Sequence, residues 1–123
     1  MLILLVEDEA IIALTTKLQL QNFGYKVIHV SSGERAIFLS LFLDFDIILM
    51  DVSLQGISGI TTAEILSKEG IETPIIFLSS YTEENIVKEY KGSLTKFYFA
   101  NKNLMELGLT ELITQVVHEQ TLK

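Results

Sequence analysis

Five short apolar runs, separated by stretches of helical period, constrain this chain more than any other feature. The runs are Leu2–Val6, Lys26–Val30, Asp46–Met50, Pro74–Leu78 and Lys96–Ala100. The first, third and fourth are almost wholly apolar, as in parallel strands covered on both faces. Between them the period changes to that of a helix. The first such stretch runs from about Glu9 to Phe23, with Ile12, Thr16, Leu20 and Phe23 on one stripe and Gly24 as its C-cap. The second opens at Ser31, with Glu34 placed for a capping box, and runs to about Phe42. The third spans about Ser58 to Gly70. The fourth follows Thr82, with Ile86 and Tyr90 one turn apart. The fifth runs from about Leu104 to His118, with Leu109, Leu112, Ile113 and Val116 on one face. The expected fold class is therefore α/β, a (βα)5 chain whose right-handed crossovers give a doubly wound five-stranded parallel sheet.

A length of 123 residues argues for one domain, with enough chain for a real core. Half of it is hydrophobic (49%) and a fifth charged (20%), which excludes a mainly disordered chain. It has no cysteine, so disulfides, thiolate metal sites and cysteine nucleophiles are excluded. Nine basic against sixteen acidic residues leave a net charge of −7, a poor balance for binding nucleic acid directly and a good one for cations. The apolar runs are too short to span a membrane, and no basic segment precedes the first, so the expected compartment is the cytoplasm.

Ligands of such sheets sit at the carboxyl ends of the strands. Here those ends carry Glu7, Asp8 and Glu9, then Asp51, then Ser79 and Ser80, and finally Lys102. Carboxylates brought this close repel unless a cation joins them or one holds a proton. A hard divalent ion with oxygen ligands resolves the conflict. Beside a hydroxyl and a lysine, such an ion makes a plausible site for phosphoryl transfer.

These residues resemble the receiver domain of two-component response regulators. The matching pieces are Leu4-Leu5-Val6-Glu7-Asp8-Glu9, Ile47-Ile48-Leu49-Met50-Asp51, Gly59 eight residues after Asp51, Pro74-Ile75-Ile76-Phe77-Leu78-Ser79, and Lys102. The resemblance covers one domain, residues 1–123 with a core of about 2–118, and implies a flavodoxin-like (CheY-like) sheet of strand order 2-1-3-4-5. It implies Asp51 as phosphoacceptor, Ser79 as switch hydroxyl and Lys102 as the lysine that pairs with the phosphoryl group. It implies Mg²⁺ (or Mn²⁺) held by Glu7, Asp8, Asp51 and the backbone carbonyl of Ser53. The partners implied are a sensor histidine kinase or phosphotransfer domain and an output domain in cis. Phosphorylation would switch the surface of the fourth helix, fifth strand and fifth helix. Such a domain is no conventional turnover enzyme, although its own side chains carry the chemistry.

Three departures from the family pattern leave readings open. Asn103 stands where proline usually follows the lysine, which predicts a trans peptide and allows a register slip. The switch aromatic is Phe99 if Lys102 holds the site, or Tyr98 if Asn101 takes its place. Gly56 stands near the usual loop proline, and Ser53 and Tyr81 occupy positions that tune phosphoryl lifetime in the family. The loop and the Lys102-Asn103 pair look similar to receivers attached to sensor histidine kinases.

The first helix carries a second apolar stripe, Ile11, Leu14 and Leu18. Leu14 and Leu18 partly cover neighbouring loops, or simply sit exposed, or form a docking patch for a kinase or phosphotransfer helix. Leu104, Met105 and Leu107 either pack over the site edge or join a homodimer face with Phe97 and Tyr98. Lys88, Lys91 and Lys96 read mainly as solvated charges, with a docking role on the output face as the sharper reading. His29 and His118 read as structural or solvent-facing. Two rival functions remain: a phosphorylation-independent pseudo-receiver that acts as a protein-interaction module, and a flavodoxin-like protein for a nucleotide or flavin. The second lacks a phosphate loop.

Overall fold

The computed structural model describes residues 1–79, 85, 88, 97–102 and 105–121, with side chains in the last segment from Gly108 onward. Five strands form one parallel sheet: β1 (Leu2–Val6), β2 (Lys26–Val30), β3 (Ile47–Asp51), β4 (Ile75–Ser79) and β5 (Phe97–Asn101). Their order is β2-β1-β3-β4-β5. Helices α1 (Ala10–Asn22), α2 (Gly33–Ser40) and α3 (Gly59–Lys68) follow the first three strands, and a C-terminal helix (Met105–Thr121) follows β5. The helix expected after Thr82 lies outside the described residues, apart from Asn85 and Lys88, which are helical.

The two faces of the sheet bury two separate cores. On one, Leu4, Val6, Ile48, Met50, Ile75 and Phe77 pack under α2 and α3 through Ala36, Ile60, Ala63 and Leu66. On the other, Ile3, Leu5, Leu49, Ile76 and Leu78 pack under α1 and the C-terminal helix through Ala13, Leu20, Leu109, Ile113 and Val116. Side chains alternate across a strand, so only strands apolar at every position can feed both cores. The doubly wound expectation holds for these reasons.

Boundaries move by small amounts with clear causes. β3 begins at Ile47; just before it Asp46 still donates its N–H to the Leu2 carbonyl at 2.9 Å, while its carboxylate, in place of a main-chain carbonyl, accepts the Leu2 N–H at 2.7 Å. β4 begins at Ile75, since Pro74 has no N–H, though its carbonyl still accepts from Ile48. β5 runs one residue later than expected, to Asn101, which is paired with Ser79. The cap of α2 is Ser32, whose hydroxyl accepts the Arg35 N–H at 3.2 Å, and not Ser31. Glu34 does not complete a capping box; its carboxylate lies against Gly56 in the loop after β3. Phe23, expected on the core stripe of α1, is exposed and stacks on Tyr25. Beyond the last turn of α1 the chain has left the helical path, and Ala13, Thr16 and Leu20 carry the buried face.

Candidate functional site

In this strand order the chain leaves β1 toward β2, then returns to β3 on the other side of β1. The reversal falls between β1 and β3, where Glu7-Asp8 follow β1 and Asp51 ends β3. One carboxylate oxygen from each of Glu7, Asp8 and Asp51 lies within 4.8 Å of the other two. This is the acidic cluster that can hold a metal ion among the described residues.

Each carboxylate is held by the fold. Asp51 is buried; its Oδ1 accepts the Ser53 N–H at 3.0 Å, and its Oδ2 lies 3.1 Å from Lys102 Nζ. Asp8 accepts the Gln55 N–H at 3.0 Å, which ties the loop after β3 to the end of β1. Glu7 is 0% exposed; its Oε2 accepts the Glu9 N–H at 3.3 Å. Its Oε1 faces Lys102 Nζ at 3.2 Å, yet among the described residues it has no aligned hydrogen bond.

Glu7 is therefore the strained member of the cluster. Burial, then the hydrogen bond and charge of Asp51, push its pKa from about 4.5 up to about 7, against the opposing pull of Lys102 and the Glu9 N–H. Lys102 keeps its proton more firmly as well. Burial alone disfavours its ammonium, but the hydrogen bond to Asp51 and the charges of Asp51 and Glu7 more than reverse this and raise its pKa. One ammonium thus serves two buried carboxylates. A carboxylate oxygen buried without an aligned donor, next to two further carboxylates, is the donor set of a hard divalent cation. The residues fit a Mg²⁺ ion.

The loop over the site is shaped by glycine. The N–H of Gly59 donates to the Val52 carbonyl at 3.0 Å, bringing the start of α3 onto the end of β3. Ser58 caps α3 by accepting the Thr61 N–H. Gly56 turns the loop with φ +76°, a left-handed conformation that glycine adopts without cost.

The other expected site residues fall as follows. Ser79 ends β4, buried, one residue past the Leu78 that pairs with Asp51. Ser53 is exposed in the loop just after Asp51. Lys102 reaches the Glu7 and Asp51 carboxylates, and Phe99 stands three residues before it. Phe99 packs on the core under α2 and α3, whereas Tyr98 points to the opposite face and its hydroxyl donates to Glu119 Oε2 at 2.5 Å. Burial and the Glu119 carboxylate push the Tyr98 phenol up to about 12. Ile11, Leu14 and Leu18 are exposed by 81%, 60% and 50%. Ser80, Tyr81, Lys91, Lys96, Asn103 and Leu104 lie outside the described residues, as do the side chains of Met105 and Leu107. Sequence reasoning missed the hydrogen bond between the His29 ring and the Glu7 carbonyl, because no short motif joins positions 22 residues apart.

Comparison with known proteins agrees with this geometry. The response regulator receiver domain model matches residues 3–114. This chain belongs to the response regulator receiver family. It is 37% identical over 93 residues to the cell cycle transcriptional regulator CtrA of Caulobacter vibrioides, a match covering 75% of this chain and 40% of that protein. The receiver thus spans well under half the length of that relative. It is similar to the receiver domain of Francisella response regulator 1452, with TM-score 0.78, 28% identity and 98% of both chains covered. It is also similar to the response regulator TrrA of Thermotoga maritima, solved in complex with Mg²⁺-BeF, with TM-score 0.75 and 25% identity over 94% of this chain and 97% of that one. Among the described residues of the receiver, no helix is long and apolar enough to cross a membrane.

Proposed function

We propose that this receiver accepts a phosphoryl group on Asp51 from a protein phosphohistidine. One observation carries the reading: Asp51 lies at the strand reversal with one oxygen held by Ser53 N–H and the other by Lys102 Nζ, inside the Glu7, Asp8 and Asp51 cluster. Glu7, Asp8, Asp51 and the Ser53 carbonyl would hold Mg²⁺. When bound, that ion supplies positive charge against the phosphoryl oxygens. Asp51 forms a new O–P bond as the P–N bond breaks, and the bonding pair leaves with the imidazole nitrogen. Lys102 gives up its contact with Asp51 Oδ2 and pairs with a phosphoryl oxygen instead, so charge on the transferring group meets a cation already in place. Ser79, at the end of β4, donates its hydroxyl to another phosphoryl oxygen. Phe99 follows as the aromatic that changes position on β5, biasing the surface that a partner reads.

The donor is a sensor histidine kinase or phosphotransfer domain, seated on the Ile11, Leu14 and Leu18 ridge of α1 beside the site. The domain works in the cytoplasm on this reading. Intact mass after incubation with acetyl phosphate tests it. A gain of about 80 Da, one phosphoryl unit, that needs both Mg²⁺ and Asp51 supports it. Asp51→Asn should show no gain. If wild type shows none either and also fails to bind beryllofluoride with Mg²⁺, the domain is a phosphorylation-independent interaction module instead.

A further inference from the structure

Glu7 and Asp8 are consecutive, so a single peptide group joins two of the three clustered carboxylates, and its plane sets where both side chains begin. Its carbonyl has outrun the sheet. The last bond of β1 toward β2 is Glu7 N–H to the Val30 carbonyl at 3.1 Å, and α1 starts by using the carbonyl of Glu9. The Glu7 carbonyl is met instead by His29 Nε2 at 2.7 Å. A carbonyl oxygen only accepts, so Nε2 carries the proton. His29 sits on β2 opposite Leu5, half-buried, so the bond is partly shielded from water.

We propose that His29 is a positioning residue of the acidic cluster: its Nε2–H fixes the Glu7–Asp8 peptide plane and so presets both carboxylates for a divalent cation. This rests on the reading of the cluster as a Mg²⁺ site. The argument is one of preorganisation. The Glu7 side chain is anchored by Glu9 N–H and the Asp8 side chain by Gln55 N–H, but both bonds hold side-chain tips. His29 holds the backbone between them. Without it the plane can rock, and each carboxylate must be ordered again when metal binds. Outer partners of metal ligands that act this way typically change affinity by about 10- to 100-fold.

Three variants separate the donor from the ring. His29→Leu removes both, His29→Phe keeps a ring without a donor, and His29→Gln keeps an amide N–H at similar reach. Calorimetric titration with Mg²⁺ should give a dissociation constant about tenfold weaker for His29→Leu and His29→Phe. His29→Gln should recover most of that loss. Equal affinity in all four proteins overturns the proposal, as does an equal loss in the Gln and Phe variants, since the ring's packing would then be responsible. Wild type that takes up no Mg²⁺ overturns the metal-site reading and this one with it. A measurement on wild type alone covers variants that do not fold: a long-range ¹H–¹⁵N spectrum should show His29 as the Nε2–H tautomer, and the Nδ1–H tautomer overturns the proposal.

Discussion

Gly59 lies so close over Asp51 that a Cβ built on it would stand 2.0 Å from the Asp51 carbonyl oxygen. The neighbour is backbone of a fully buried strand, so it cannot turn aside as a flexible side chain would. The glycine eight residues beyond Asp51 is thus a steric requirement of bringing α3 onto the end of β3. Gly59→Ala should destabilise the domain by about 2 kcal/mol, the middle of the range for overpacking a core. Urea denaturation reads this directly. An unchanged midpoint would show that α3 lifts off β3 without loss.

Lys102 serves both Glu7 and Asp51, so removing it leaves two buried carboxylates with no cation. Breaking a buried pair costs more than making it gains, because the remaining charge stays desolvated. Lys102→Met should cost about 2 kcal/mol at pH 8, below the fully buried figure because the ammonium is partly solvated. The cost should be smaller at pH 5, where Glu7 already holds a proton. Millimolar Mg²⁺ should recover much of the loss at pH 8. Melting curves at both pH values, with and without the ion, check all three statements.

The Glu7 carboxyl makes the stability of the metal-free domain depend on pH. Its pKa is pushed up to about 7 in the folded chain, from about 4.5, so between these values the native state binds more protons than the unfolded one. The stabilisation from this group is full below about pH 4.5 and is lost as pH rises through about 7. The total is on the order of 3 kcal/mol. Denaturation midpoints measured from pH 5 to 8 in the presence of a chelator should fall. Glu7→Gln, which cannot titrate, should flatten the profile. The same proton must leave when a cation binds, so Mg²⁺ affinity should rise over this window.

Much of this site was legible in the chain because strand ends are legible. Leu2–Val6 and Ile47–Met50 are apolar at every position, which only a strand covered on both faces requires, and the acidic residues stand where the apolar runs stop. What sequence could not fix depends on distances between elements. Ser31 and Ser32 are equally good caps by chemistry, and only the entry path from β2 selects Ser32. Whether Lys102 or Asn101 faced the carboxylates turned on one residue of register in β5. His29 read as structural or solvent-facing because its partner is a main-chain carbonyl just past the end of β1, and backbone acceptors leave no mark in a sequence. Phe23 followed the helical period, but the helix had ended one residue earlier.

The exposed ridge of α1 gives the last prediction. Ile11, Leu14 and Leu18 recur at helical spacing on the side of α1 away from its buried residues Ala13, Thr16 and Leu20. Three large aliphatic side chains exposed side by side are more than scattered surface residues. If they seat the helix that carries the phosphohistidine, a charged replacement should block transfer from protein donors while sparing transfer from a small molecule. Leu14→Glu with Leu18→Glu should leave stability within about 0.5 kcal/mol, as exposed substitutions usually do. Its uptake from acetyl phosphate should match wild type, since Glu7, Asp8, Asp51 and Lys102 are untouched. Its uptake from a phosphorylated histidine kinase or phosphotransfer domain that serves wild type should fall at least about tenfold, the loss of about 1.4 kcal/mol of docking. Equal rates from the protein donor would remove the ridge from the docking surface and leave its leucines as ordinary exposed side chains.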